Sequence, residues 1–385
     1  MRELVALDIP GGDAFVAALA AVWAAGDAVA PLDPRLPKPA AAALLAALRP
    51  TAVVGLDGER VELAGGLGVE DGDALVVATS GSSGAPRGVV LTHDALRASA
   101  RATSDRLGVD PVRHHWLACL PLAHVGGLAV VIRALLTGTP VTVLPGFEAD
   151  AVEALGRRGV ATHVSLVATA LNRLDPSVFA CILLGGAAAP DGLPANVVVT
   201  YGMTETGSGV VYDGRPLDGV DVAIGTGRPA GGAAGEVLVR GPMLLRAYRD
   251  GAVPFVAGPD GVGGWLPTGD GGRLTDDGHL VVDGRLAEVV VTGGEKVWPA
   301  AVEEVLVRHP GVAEVAVGRR PDPEWGERVV AYVVPVDRAA PPSLDELREL
   351  VGGNLAPWAA PKELVVLDRL PRTTSGKVRR AALSS

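Results

Sequence analysis

Short apolar runs alternate with helical stretches through the first two thirds of the chain, and no other feature limits its fold as much. WLACLPL (Trp116–Leu122), THVSLV (Thr162–Val167), ACILLGG (Ala180–Gly186) and NVVVTYG (Asn196–Gly202) have the length and composition of strands. Between them, LAVVIRALLTG (Leu128–Gly138) and ADAVEALGRRG (Ala149–Gly159) carry helical spacing. Nearer the N-terminus, DAFVAALAAVWAAG (Asp13–Gly26) and PAAAALLAALRP (Pro39–Pro50) predict helices. ALVVATS (Ala74–Ser80) predicts a buried strand, and Thr92 an N-cap for the helix running to Gly108. This alternation predicts an α/β fold. From about Gly225 the texture changes to Gly-rich hairpins. After Arg285 comes a compact α+β tail, with strands near VAEVAVG, RVVAYVVP and ELVVLD and helices near PAAVEEVLVRH and SLDELRELVGG. The division expected is a large domain over 1–283 and a small domain over 289–385, with the boundary at 284–288.

The totals narrow the functional classes. At 48% hydrophobic residues over 385 positions the chain can bury a large core, which excludes a disordered protein. A net charge of −10 argues against non-specific binding to nucleic acid or a membrane surface. Cys119 and Cys181 both lie in apolar surroundings, which suits a reducing cytoplasm rather than a disulfide framework. The N-terminal residues lack the apolar core of a signal peptide, and GGLAVVIRALL is too short to span a bilayer.

Directly after the strand Ala74–Ser80 stands TSGSSGAPRG (Thr79–Gly88). Gly and Pro make this a poor helix interior and a poor strand. It reads as a loop offering backbone N–H groups and hydroxyls to phosphate oxygens. The spacing is wrong for a Walker loop, because Pro86 stands five residues after Gly81, and wrong for a nucleophile elbow, because Ala85 replaces its last glycine. His114 and His115 read as solvated, and no spacing supports a zinc site.

TSGSSGAPRGVVLTH closely resembles the phosphate loop of the AMP-forming acyl-CoA synthetase superfamily, the adenylate-forming enzymes. Six further segments resemble that family's signatures in order: AVWAAGDAVAPLDPRLP, LLGGAAAP, TYGMTETG, WLPTGD, VDGRLAEVVVTGGEKVWPAAVEEVL and LPRTTSGKVRR. The resemblance implies an adenylate-forming fold with ATP, Mg²⁺ and coenzyme A as its reactants and cofactors. It implies that Thr79, Ser80, Gly81, Ser82, Ser83 and Gly84 wrap the β- and γ-phosphates. Arg87 stands where the family usually has Lys and would grip pyrophosphate. Glu205 would hold the metal ion, and Thr204 would touch the α-phosphate. Tyr201, Gly202, Gly185, Gly186 and Ala187 would line the adenine, with Asp270 and Arg285 on the ribose. Lys377 of TTSGK would bridge the attacking carboxylate and the α-phosphate. His124 and Ser165 would border the acyl group. Gly293, Gly294 and Lys296 would serve coenzyme A after the small domain swings about Ala287, where the family is often polar or charged.

The phosphate loop begins at residue 79, where larger relatives carry a longer N-terminal subdomain, so a truncated first subdomain and a small substrate are expected. TYGMTETGSGVVYDGRPLDGVDV (Thr200–Val222) and THVSLVATALNRL (Thr162–Leu174, with Ala168 where Pro is usual) resemble compact o-succinylbenzoate–CoA ligases of menaquinone synthesis. A dicarboxylic acid would want a cation at its far end, and Arg133, Arg157 and Arg173 are the candidates. Another aryl or short acyl acid, a carrier-protein acceptor, or a nucleotide-binding scaffold stays open. A homodimer is the default assembly.

Overall fold

A computed structural model describes residues 2–80, 86–186, 189–190, 192–225, 235–372 and 378–383. The chain divides into two compact units. The first comprises 1–223, 238–266 and 275–280; the second comprises 224–237, 267–274 and 281–385.

The first unit holds two seven-stranded sheets. One runs in the order Ala247–Tyr248, Pro86–Thr92, Asp73–Ser80, Ala28–Pro31, Leu4–Asp8, Ala52–Gly55, Arg60–Glu62. Its middle strands are parallel, and both faces are covered, so LVAL and AVAP are apolar at consecutive positions and fully buried. The other runs Arg215–Pro216, Gly209–Tyr212, Val197–Gly202, Cys181–Leu184, His163–Leu166, Trp116–Ala118, Val141–Val143, again with a parallel centre. Its core packs Leu117, Val164, Leu166, Ile182 and Leu184. Helices His93–Leu107 and Val125–Thr137 pack on each other. Thr92 caps the first of them by accepting the Ala95 N–H, and Gly108 ends it in the left-handed conformation at φ 61°.

The expectation that TSGSSGAPRG is poor strand needs correction at both ends. Asp73–Ser80 and Pro86–Thr92 form an antiparallel hairpin, with Thr79 opposite Arg87 and Ser80 opposite Pro86. Pro86 is tolerated because it is the first residue of its strand. Gly88 is required by packing, since a Cβ there would lie 2.8–2.9 Å from Leu48, Arg249 and Val76 side-chain atoms. Gly81, Ser82, Ser83 and Gly84 lie outside the described residues, as does the side chain of Ser80.

In the second unit, strands Glu295–Val297, Val290–Thr292, Gly326–Pro335 and Val312–Asp322 are neighbours in that order, and Glu363–Val366 joins Gly326–Pro335 in parallel. Helices Pro299–Leu306 and Leu344–Gly352 cover this sheet, and Val302, Leu306, Val329, Ala331, Val333 and Leu347 form the core between them. Ser343 and Glu346 make a reciprocal capping box at the start of the second helix. Strands Leu266–Leu274 and Leu280–Arg285 are neighbours in a separate four-stranded sheet. Among the described residues no helix is long and apolar enough to cross a membrane.

Candidate active site

Glu205 sits on the short turn Thr204–Thr206, just after the strand Val197–Gly202 ends. The turn is held by one buried hydroxyl: Thr206 Oγ1 accepts the Met203 N–H at 2.9 Å and donates to the Ser208 carbonyl at 2.6 Å. Gly207 closes the turn at φ 68°, a conformation that side chains resist. Gly202 lies so close to Ser208 that an added Cβ would meet its carbonyl oxygen at 2.3 Å. This locks the Tyr201–Glu205 backbone, with Tyr201 paired to Val211 across the sheet.

The Glu205 carboxylate accepts a hydrogen bond from Tyr248 Oη at 3.1 Å. Burial first, then the neighbouring Glu205 charge, pushes the Tyr248 phenol up to about 12, so it stays a donor at neutral pH. Arg87 lies over the other face of the arrangement, its guanidinium carbon 3.5 Å from the Tyr248 ring centroid. Its fork reaches Asp250 through Nε at 3.0 Å and Nη2 at 2.9 Å. Thus Thr79, Arg87, Thr204 and Glu205 belong to neighbouring pieces of one unit: the hairpin and the turn meet through Ala247–Tyr248, which pairs with Val89 and Val90.

Gly185 and Gly186 follow the strand Cys181–Leu184. A Cβ on Gly185 would lie 2.8 Å from Thr200 Oγ1, and Gly186 has φ 88°. Ala187 lies outside the described residues. Ser165 is opposite Leu183 in the same sheet. His124 is the N-cap residue of Val125–Thr137, and its charge, when present, helps to lower the carboxyl of Asp33, whose main partner is Arg35 at 2.8 Å.

In the second unit Asp270 is buried and meets Arg285 Nε at 2.9 Å. Thr268 braces both: its Oγ1 accepts the Asp270 N–H at 3.1 Å, and its carbonyl accepts from Arg285 at 3.2 Å. Gly293 and Gly294, at φ 61° and 85°, form the two-residue turn of a tight hairpin with Lys296 on its second strand. Gly293 also packs flat on Trp325, where a Cβ would come within 2.8 Å of the ring. Ala287 is exposed on the turn Leu286–Glu288. Lys377 lies outside the described residues.

The matching family descriptions are "AMP-binding enzyme" over residues 68–249 and "AMP-binding enzyme C-terminal domain" over 301–377. A probable 2-succinylbenzoate–CoA ligase of Mycobacterium tuberculosis is 41% identical over 341 residues, covering 82% of this chain and 85% of that protein. The chain belongs to the 2-succinylbenzoate–CoA ligase family. A family member from Bacillus cytotoxicus is 36% identical over 343 residues, covering 80% of this chain and 69% of the relative. The o-succinylbenzoate–CoA synthetase of Bacillus subtilis, solved with its acyl-adenylate intermediate, superposes with a TM-score of 0.86 at 28% identity, covering 100% of this chain and 89% of that one. The same synthetase solved with ATP and magnesium ion gives a TM-score of 0.85.

Three groups in this family member belong to none of the motifs. Tyr248 is one. The second is the buried set around Arg133, which is 3% exposed. Arg133 Nη2 reaches Ser208 Oγ at 3.2 Å and its guanidinium lies 4.7 Å from the Trp116 ring, while Nε and Nη1 find no partner among the described residues. Burial pushes its pKa below the ordinary guanidinium value. The third is Lys362, which sits 4.6 Å over Trp325 and donates to Thr292 Oγ1 at 3.1 Å beside the Gly293 hairpin. Of the other two arginines considered for the far carboxylate, Arg157 is exposed and pairs with Glu153 and Asp175, and Arg173 is exposed beside Phe147.

His114 and His115 are only partly solvated. Both are half-buried: His114 Nδ1 accepts the Asp110 N–H at 2.9 Å, and His115 Nε2 meets Thr142 Oγ1 at 2.9 Å. Next to them His163 is buried between the His114 and Trp116 rings, and burial drops its pKa to about 4. The unfolded chain therefore takes up this proton first, near the usual value of 6.5, so stability falls as pH drops from about 6.5 to 4 and levels off below. The contribution reaches roughly 3 kcal/mol. Replacing His163 by Phe is expected to flatten the fall in Tm between pH 7 and pH 4.5; an unchanged slope would remove His163 from the acid response.

Proposed function

We propose that the chain is an ATP-dependent o-succinylbenzoate–CoA ligase working through two half-reactions. In the first, a carboxylate oxygen of the acid attacks the α-phosphorus of ATP, and the bond to the bridging oxygen breaks with its electron pair leaving on pyrophosphate. In the second, the thiolate of coenzyme A attacks the acyl carbonyl, the acyl–oxygen bond breaks and AMP departs; the thiol proton passes to solvent. The observation that carries this reading is the superposition of the whole chain on a synthetase holding its o-succinylbenzoyl adenylate.

Two anions must meet in the first step, so cations and N–H donors placed beforehand matter more than a nucleophilic side chain. Thr79, Ser80, Gly81, Ser82, Ser83 and Gly84 would wrap the phosphates, with Arg87 on pyrophosphate and Thr204 on the α-phosphate. Among the described residues no group of three acidic, His or Cys side chains is arranged to hold a metal ion. One carboxylate, Glu205, oriented by a hydroxyl, fits Mg²⁺, which takes most of its ligands from nucleotide phosphates and water. Bound there, Mg²⁺ would neutralise phosphate charge. The braced Asp270–Arg285 pair suits ribose hydroxyls, and Gly185, Gly186, Ala187, Tyr201 and Gly202 would line the adenine. His124 and Ser165 would border the acyl group, and Lys377 would bridge the two anions.

For the second step, residues 289–385 would turn about Ala287, in the 284–288 hinge, and bring Gly293, Gly294 and Lys296 to the site. Arg133 is our choice for the far carboxylate of the substrate: it is buried, has two unfilled donors, and shares a small cavity with Ser99, Val125 and Gly207. Two unpaired thiols suit the cytoplasm, and the homodimer default is checked by light scattering.

The deciding experiment incubates the protein with ATP, Mg²⁺, coenzyme A and a panel of carboxylic acids, read by mass spectrometry. An o-succinylbenzoyl-CoA peak far above the rest is expected. Acyl-AMP without acyl-CoA would move the acceptor to a carrier protein, and silence would overturn the reading.

A further inference from the structure

The segment Leu244–Asp250 touches both charged groups proposed above to flank the phosphates, Glu205 and Arg87. The Leu245 N–H donates to the Glu205 carbonyl at 2.7 Å, and Tyr248 Oη donates to the Glu205 carboxylate at 3.1 Å, so Glu205 is fixed at backbone and side chain by the same short stretch. That stretch is itself anchored on the strand carrying Arg87: Tyr248 pairs with Val89, and the Arg249 N–H donates to the Gly88 carbonyl at 2.8 Å. The Tyr248 ring carries the Arg87 guanidinium at 3.5 Å, and Asp250 holds its fork.

We infer that Tyr248 is the positioning residue of the phosphate site: its hydroxyl turns the Glu205 carboxylate so that the remaining lone pairs face the metal ion, and its ring holds Arg87 at the set distance. This rests on the assignment of Glu205 to the metal. The geometry separates the two jobs, because phenylalanine keeps the ring and loses only the donor. A carboxylate that loses its donor must be ordered by the cation itself, which weakens cation binding without altering the chemistry that follows.

Mn²⁺ is titrated into the enzyme bound to a non-hydrolysable ATP analogue and read by electron paramagnetic resonance, alongside adenylation kinetics against Mg²⁺. Tyr248→Phe is expected to raise the half-saturating Mn²⁺ concentration by roughly five- to tenfold, with kcat recovered at excess Mg²⁺. The same change in a Glu205→Gln background should add nothing. Tyr248→Leu should in addition weaken inhibition by pyrophosphate, because Arg87 loses its support. If Glu205→Gln shifts the titration and Tyr248→Phe does not, the inference fails while Glu205 keeps its role. If neither shifts it, the assignment of Glu205 fails and takes the inference with it. A loss in Tyr248→Phe that is equal at every metal concentration marks a merely structural tyrosine and also overturns the proposal.

Discussion

Replacing Lys377 by alanine is expected to slow acyl-adenylate formation by at least about 10²–10³-fold and to leave thioester formation from pre-made acyl-adenylate nearly unchanged. The reason is the charge balance of the first half-reaction. The attacking carboxylate and the α-phosphate are both anionic, and a cation lying between them is worth most when their oxygens come together. The second half-reaction joins a thiolate to a carbonyl and has no such meeting of phosphate and carboxylate. Lys377 belongs to residues 373–377, outside those described, but its flanks are well tied. Arg372 and Val378 form a bridge, and Arg380 pairs with Glu303 at 2.7 Å and Glu288 at 3.3 Å. The measurement is pyrophosphate release in the first step and, separately, consumption of purified acyl-adenylate by coenzyme A. Equal losses in both would take Lys377 out of the adenylation step.

Arg133→Met should raise the KM for o-succinylbenzoate by roughly a hundredfold, in keeping with the loss of one partner from a buried charge pair. It should change the KM for a monocarboxylic analogue little. The same substitution should leave Tm unchanged or raise it, because the free protein carries a buried cation that no described carboxylate neutralises, and a hydrophobic residue of similar reach removes that cost. The two effects have opposite signs, which separates a binding role from a structural one. A lowered Tm with equal losses for every acid would mean that Arg133 supports the Trp116–Ser208 region and nothing more.

Much of the architecture was legible because it is written in local periodicity. The helices Asp13–Ala24 and His93–Leu107, the Thr92 cap and the parallel strands of the second sheet all follow from apolar spacing and turn residues within short windows. What escaped depends on contacts between distant residues. Pro86–Gly88 is strand because Ser80 and Thr79 lie opposite, an arrangement that intrinsic propensity opposes. Arg133, Arg157 and Arg173 look alike as letters, and only burial distinguishes the first. Tyr248 stands 43 residues from Glu205, and Asp250 stands 163 from Arg87, so neither partnership leaves a trace in spacing. His163 sits in an ordinary strand pattern, and its neutrality is imposed by the rings around it. The motif residues were named through family resemblance. The side chains that contact them were not, because a contact residue needs only to reach its partner and can come from any neighbouring strand.

On the proposed role of Arg87, its pairing with Asp250 would also change what nucleotide binding means electrostatically. A bare cation at the phosphate loop would gain an ion pair when ATP arrives, and added salt would weaken that gain. Here the guanidinium is already matched by a partly exposed carboxylate, so a phosphate bound at Arg87 as proposed would arrive by exchange: one anion would leave the fork as another enters. Salt screens the departing pair as well as the incoming one. In the proposed role, association at Arg87 would therefore be buffered against ionic strength, and the residue would discriminate by charge density and fit instead of by attraction alone.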